Sequence, residues 1–182
     1  STRKEIKDLY KACIYDLDAS VGRVLEKIKD LGLEKKTLVI FTSDNGGMFN
    51  HGGQEAFKLG HRQNAHLLGF KFAVWEGGQR VPFIAKWPGK IKPGTTSDQM
   101  ISGIDMLVTF ASVTGQTLDK KQLADSIDIL PALIGEPVAP LREELILIPN
   151  RVNNVAMRKG KWIYIGARGA GGFGGKPGVH AA

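Results

Sequence analysis

The run Thr37-Leu38-Val39-Ile40-Phe41-Thr42-Ser43-Asp44-Asn45-Gly46-Gly47 constrains this chain more than any other stretch. Its apolar, β-branched centre, bounded by Lys35-Lys36 and by Gly46-Gly47, predicts a fully buried strand of a parallel sheet. Open α/β sheets place their ligand crevice at the carboxyl ends of such strands. Here that end carries a carboxylate beside a carboxamide. Asp44 and Asn45 offer hard oxygens, the donors that Ca2+ and Mg2+ take. The two glycines let the backbone turn sharply and approach a bound group closely. Asp-Asn-Gly is equally ordinary turn chemistry, an Asx turn closing a strand, so the tetrapeptide alone leaves both readings open.

A chain of 182 residues makes one large domain, or one domain and a piece of another. Apolar residues at 42% suffice for a sizeable core. The net charge of +7 comes from 25 Lys and Arg against 18 Asp and Glu. These basic residues are scattered, and aromatic residues are not interleaved with them. That describes a solvated basic surface, or one facing an anionic substrate, and argues against a nucleic-acid platform. A single cysteine, Cys13, excludes an internal disulfide; its apolar helical position predicts a buried structural residue. No run reaches the roughly 18 apolar residues of a membrane span. No signal peptide is recognisable, and the chain opens inside an amphipathic helix without an initial Met, as an excised piece would.

Between Ile6 and Leu31, apolar residues fall at Ile6, Leu9, Cys13, Leu17, Val21, Val24, Leu25 and Ile28, a helical spacing with one wet face. Gly32-Leu33 reads as its C-terminal stop with an apolar clamp. Helix followed by strand is half of a βαβ unit. Residues 46–70 lack periodicity and form a long loop rich in Gly, His, Asn and Gln, of the kind that is usually functional or disordered. Val81–Trp87 predicts a second strand, with Pro82 near its start and Pro88-Gly89 as the turn after it. Ile104–Val113 predicts a helix starting at Ser102 and stopped by Gly115. A shorter helical segment follows Asp125-Ser126, with Ile127, Leu130, Leu133 and Ile134 apolar. Residues 135–144, rich in Pro and charge, are the best boundary and divide 1–140 from 141–182. Beyond it Leu145–Ile148 is extended, and Val155–Arg158 and Trp162–Ile165 form a hairpin turning at Lys159-Gly160-Lys161. The Gly-rich tail from Gly166 to Gly178 reads as irregular.

A second constellation is Gly69-Phe70-Lys71-Phe72-Ala73-Val74-Trp75-Glu76-Gly77-Gly78-Gln79-Arg80-Val81-Pro82. A lysine among apolar residues is a compact charge for an anionic oxygen, and equally a surface lysine ahead of a structural turn. Glu76 and Arg80 have the spacing of a local ion pair around Gly77-Gly78.

Taken together, three segments resemble the sulfatase family of the alkaline-phosphatase-like superfamily, within it the arylsulfatase A-like enzymes. They are the helix through Tyr15-Asp16-Leu17-Asp18-Ala19-Ser20-Val21-Gly22-Arg23-Val24-Leu25, the strand ending Ser43-Asp44-Asn45-Gly46-Gly47, and Lys71 followed by Trp75-Glu76-Gly77-Gly78-Gln79-Arg80-Val81-Pro82. Phe83–Gly89, Ile104–Phe110 and Met157-Arg158-Lys159-Gly160-Lys161-Trp162 continue the likeness over nearly the whole chain. The resemblance implies an α/β fold: the later part of an α/β/α sandwich plus the start of a small antiparallel C-terminal sheet. It also implies sulfate-ester hydrolysis, with a sulfated small molecule or sulfated glycan as substrate. Asp44 and Asn45 match the later half of the site for one divalent ion, usually Ca2+, with Mg2+ the alternative. Lys71 matches the lysine that contacts the sulfate, and Glu76, Gly77, Gly78 and Arg80 match a supporting turn. His61-Arg62, or Asn64, in the long loop with His51 and His66, are placed to touch substrate; solvated loop residues are the competing reading.

The departures matter as much. The family nucleophile is a formylglycine made in a Cys/Ser-x-Pro-x-Arg context, and no such motif stands in these residues. The early acidic ligand pair is missing as well. The expectation is therefore a later portion of a sulfatase, inactive by itself, with formylglycine supplied upstream. The alternatives are a catalytically inactive scaffold or binding module, and a phosphatase-type member of the superfamily. By resemblance alone, the location would be periplasmic or secreted, or lysosomal in a eukaryote.

Overall fold

A computed structural model describes residues 3–49, 52–123, 125–135, 139–151 and 154–166. Helix α1 (Arg3–Asp30) leads the chain. It ends as its glycine predicts. Gly32 adopts φ 65°, its N–H donates to Lys29 O (2.8 Å), and the Leu33 N–H donates to Ile28 O (3.0 Å). Those two bonds satisfy carbonyls that a helix end otherwise leaves open. A single 3-10 turn at Glu34–Lys36 then feeds β1 (Val39–Thr42).

The order continues with α2 (Gly53–Lys58), α3 (Glu76–Gln79), β2 (Phe83–Lys86), α4 (Met106–Thr114), α5 (Lys120–Leu123), α6 (Leu130–Ile134), β3 (Glu144–Leu147), β4 (Ala156–Lys159) and β5 (Trp162–Ile165). Strands β3, β4 and β5 form an antiparallel sheet in that order, with the expected hairpin turning through Gly160 at φ 54°. The mixture of helices and small sheets is that of an α/β fold.

The strand reading needs correction. β1 is neither parallel-paired nor fully buried: it pairs antiparallel with β2, Val39 opposite Lys86 and Thr42 opposite Phe83, and its residues are half-buried or exposed. Among the described residues β2 is its sole neighbour. A two-stranded ribbon leaves one edge and much of each face open, whatever its hydrophobicity. The face of α1 departs from expectation for the same reason. Leu9, Leu17 and Val24 are exposed, and so is Cys13, which the helical pattern placed inside. The periodicity is real, but α2, His61 just after it and the start of the ribbon, which lie against the helix, leave those residues uncovered.

Two buried groups hold the rest. Val74, Leu147 and Ala156 form one, with Leu145 and Ile165 packed on it, so the C-terminal sheet shares its core with the segment after Lys71. Asp105, Thr109 and Ile129 are the centre of the other, each without solvent exposure. The Asp105 carboxylate accepts from Ser102 N–H (2.7 Å), Ile127 N–H (3.1 Å) and the Arg142 guanidinium (2.5 Å). Thr109 donates its hydroxyl to Asp105 O (2.7 Å) and accepts from Ile129 N–H (3.0 Å). A buried charge is tolerated only when paired and hydrogen-bonded, and this one is both.

Candidate active site

The Asp44 loop is shaped from within. The Ser43 hydroxyl donates to Asn45 O (2.8 Å) and the Asn45 carboxamide N–H donates to Gly46 O (3.0 Å). With its NH2 so engaged, Asn45 keeps its Oδ1 for another partner. Asp44 is exposed, and among the described residues no hydrogen bond or ion pair engages its carboxylate. Two adjacent hard oxygens without a donor partner fit part of a Ca2+ shell, which takes 6–8 oxygens. They do not complete one: no group of three or more His, Cys, Asp or Glu residues able to hold a metal occurs among the described residues.

Backbone bonds draw the lysine segment against this loop. Gly46 N–H donates to Gly78 O (3.0 Å), and Lys71 N–H donates to Gly47 O (3.0 Å). Glycines make the approach possible. A Cβ on Gly46 would lie 1.7 Å from Gly77 O, and one on Gly77 would lie 2.3 Å from Gly69 O. No other residue type fits where three backbones cross at this distance. Lys71 is half-buried, its ammonium 5.6 Å from the centre of the Phe72 ring. Phe72 itself takes φ 83°, a left-handed conformation costly for a bulky residue. Strain of this kind persists only where surroundings over-determine it. Here the Phe72 carbonyl accepts from Asn150 N–H (3.3 Å), and Ala73 and Val74 beside it are buried.

The expected Glu76–Arg80 pair forms, at 3.6 Å, but it is the weaker contact. The main partner of Glu76 is Arg158 on β4, whose guanidinium donates to its carboxylate. That bond holds the Glu76 carboxyl below the usual carboxylate range against the opposing effect of partial burial, and both arginine charges add to it. Spacing could not reveal this partner, although Arg158 stands in one of the segments that carry the resemblance.

His61 and Arg62 are engaged with aromatic rings. The His61 ring tilts against Tyr10 of α1 at 4.6 Å, with its Nε2 buried and unpartnered among the described residues. The Arg62 guanidinium sits 3.7 Å over the Phe57 ring of α2. No contact among the described residues brings either side chain to Asp44, Asn45 or Lys71. His66 is exposed. His51 and the tail beyond Gly166 lie outside the described residues. Asn64 belongs to the crossing itself: its carboxamide accepts from Gly47 N–H and donates to Gly69 O.

The sequence model of the sulfatase family matches residues 1–116. The chain belongs to the sulfatase family. Similar proteins include the N-acetylgalactosamine-6-O-sulfatase of Bacteroides thetaiotaomicron, 35% identical over 155 residues that make up 84% of this chain and 30% of that protein. Human arylsulfatase A is 38% identical over 154 residues, 82% of this chain and 28% of that protein. Among solved structures, one from work on glycosaminoglycan metabolism by Bacteroides thetaiotaomicron superposes with a TM-score of 0.72 at 31% identity, over 82% of this chain and 31% of that one. Ps i-CgsB, solved in complex with k-i-k-neocarrahexaose, gives 0.69 at 27% identity, over 84% of this chain and 32% of the other. This sulfatase chain thus spans about a third of the length of the relatives it matches, and its structural neighbours share its α/β fold.

Proposed function

We propose that this chain is the later part of a sulfate-ester hydrolase, in which Asp44 and Asn45 supply oxygens to a divalent cation and Lys71 contacts the sulfate. The supporting observation is the pair of backbone bonds, Gly46 to Gly78 and Lys71 to Gly47, that holds the carboxylate loop and the lysine loop together. A cation bound there, Ca2+ or Mg2+, would act as a Lewis acid on a sulfuryl oxygen. Lys71 would place a fixed positive charge where negative charge grows on the sulfuryl oxygens as the S–O bond breaks. Preorganised charge of this kind lowers the barrier without reorganisation at the moment of reaction. Asn45 orients its Oδ1 through the bond from its NH2 to Gly46, and the Glu76–Arg158 contact supports the turn behind Lys71. The nucleophile, a formylglycine, is assigned to upstream sequence, so the 182 residues alone are expected not to turn over an aryl sulfate.

The names of the relatives favour a sulfated glycan or a sulfated small molecule as substrate. His61 and Arg62, which pack against Tyr10 and Phe57, remain proposed substrate contacts from the long loop. Neither nucleic acid nor a membrane is proposed as a partner; no helix of the described residues is long and apolar enough to cross a bilayer. The proposed location is periplasmic or secreted, or lysosomal in a eukaryote. The test is kinetic. In the enzyme that carries this chain, Asp44→Ala and Lys71→Ala should each cut hydrolysis of a sulfate ester by about 10²-fold or more. Near-normal rates in both would overturn the assignment.

A further inference from the structure

We infer that Asn64 is a positioning residue that sets the register between the cation-side loop and the lysine loop, an inference that rests on the roles proposed above for Asp44, Asn45 and Lys71. Its carboxamide is engaged at both ends. Oδ1 accepts from Gly47 N–H at 2.7 Å, and Nδ2 donates to Gly69 O at 2.8 Å. Gly47 lies two residues after Asn45, and Gly69 lies two residues before Lys71. One planar group therefore spans the gap between the two charge-handling segments, at matching distances along the chain from each.

The surroundings are built for this bridge. A Cβ on Gly47 would lie 2.9 Å from Asn64 Oδ1, so the carboxamide closes on a backbone that has no side chain in the way. Ala65 adopts φ 51°, and Leu67 N–H returns to Asn64 O at 2.9 Å, which turns the chain around Asn64 and fixes its Cα. Both bonds need a group that accepts and donates at once. Asp keeps only the acceptor, and Ala keeps neither. The backbone bonds of Lys71 to Gly47 and of Gly46 to Gly78 do not involve the Asn64 side chain. Removing the carboxamide thus leaves the loops attached at one side and slack at the other. The protein still folds, while the separation of the cation ligands from the ammonium is no longer fixed. Misplacement by about 1 Å is enough to cost a reaction about 10²-fold, because the two charges must meet the same sulfuryl group.

The experiment compares Asn64→Ala, Asn64→Asp and the exposed-helix control Gln54→Ala in the enzyme that carries this chain, beside Asp44→Ala and Lys71→Ala. It records kcat and KM for an aryl sulfate, melting temperature, and amide exchange of the peptide spanning Asp44–Met48. Asn64→Ala should lower kcat by about 10²-fold with less than a tenfold change in KM. Its Asp44–Met48 peptide should exchange at least about tenfold faster, since Gly47 N–H loses its acceptor. Asn64→Asp, which keeps that acceptor, should retain the slow exchange and recover part of kcat; Gln54→Ala should match the parent. Two results overturn the inference alone: kcat within twofold of the parent in Asn64→Ala while Asp44→Ala and Lys71→Ala abolish turnover, or a loss of kcat that vanishes when the variant is assayed well below its melting temperature. If Asp44→Ala and Lys71→Ala both leave the rate intact, the site reading falls and the role of Asn64 falls with it.

Discussion

The Arg158 guanidinium donates to the Glu76 carboxylate across 82 positions of sequence, joining the middle strand of the C-terminal sheet to the glycine turn that follows Lys71. Both side chains are about 29% and 28% exposed, enough burial for the bond to differ from a surface ion pair. Val74, Leu147 and Ala156 bury their side chains at the same junction. The lysine segment is therefore fastened from two directions, to the Asp44 loop by backbone and to the C-terminal sheet by this bond and its apolar floor.

Glu76→Gln should lower stability by about 1.5–3 kcal/mol at neutral pH, the range for a hydrogen bond to a charged group. The effect carries a sign in pH. Because the folded carboxyl titrates below its ordinary 4.5, its contribution is complete above that pH and is lost as the pH falls below it. Melting temperatures of parent and variant, measured from pH 7 to pH 3, should differ by a constant amount down to about pH 5 and then converge. A gap that widens in acid would contradict this account.

Gly46→Ala should destabilise by about 3 kcal/mol, the upper end of overpacking costs, because its Cβ would meet Gly77 O at 1.7 Å. Gly22→Ala is the matched contrast. Nothing lies within 4 Å of its added Cβ, its backbone is helical within α1, and the exchange should stabilise by about 0.5–1 kcal/mol. Chemical denaturation of both variants measures the difference, and equal effects would mean that the backbone crossing is looser than described.

Asp105→Ala should cost about 3–5 kcal/mol, since it removes the charge partner of the Arg142 guanidinium, which keeps only its bond to Asp125 O, and strands the Ser102 and Ile127 amides around a vacated position. Arg142→Ala removes the other half of the pair and should cost nearly as much. The double variant should cost less than the sum, a coupling that a double-mutant cycle reads directly. Additive losses would show that the two side chains act independently.

Chelation of divalent ions should abolish sulfate-ester hydrolysis by the enzyme that carries this chain, and added Ca2+ should restore it. Asp44→Asn, which keeps one hard oxygen and loses the charge, should require a higher Ca2+ concentration for half-maximal rate than the parent. An unchanged requirement would separate Asp44 from the cation.

Much of the local structure was legible. The stop of α1 at Gly32, the start at Ser102 of the helical segment that becomes α4 and the Gly160 turn depend on residues within one turn of each other. Their hydrogen bonds close locally, so spacing and residue type are sufficient. The composition of the long loop reads as functional or disordered, and Asn64, the residue in it that joins the two motifs, reads as a substrate contact or a solvated loop residue. Its two partners lie 17 and 5 positions away, and no periodicity marks such a pair.

By itself, then, the sequence determined the stop of α1, the start of the segment that becomes α4 and the Gly160 turn, and it offered Asp44, Asn45 and Lys71 as candidate groups for a cation and a sulfate; it did not mark α2 (Gly53–Lys58) inside the loop it read at 46–70, nor α3 (Glu76–Gln79). Only the tertiary structure decided that β1 pairs antiparallel with β2, that Glu76 takes Arg158 ahead of Arg80, and that Cys13 and the Leu9–Leu17 face of α1 stand exposed. The reason is physical. Hydrophobic pattern reports which face a residue would bury, while burial itself requires a second surface, and the position of that surface is fixed by long-range chain closure that no local spacing encodes.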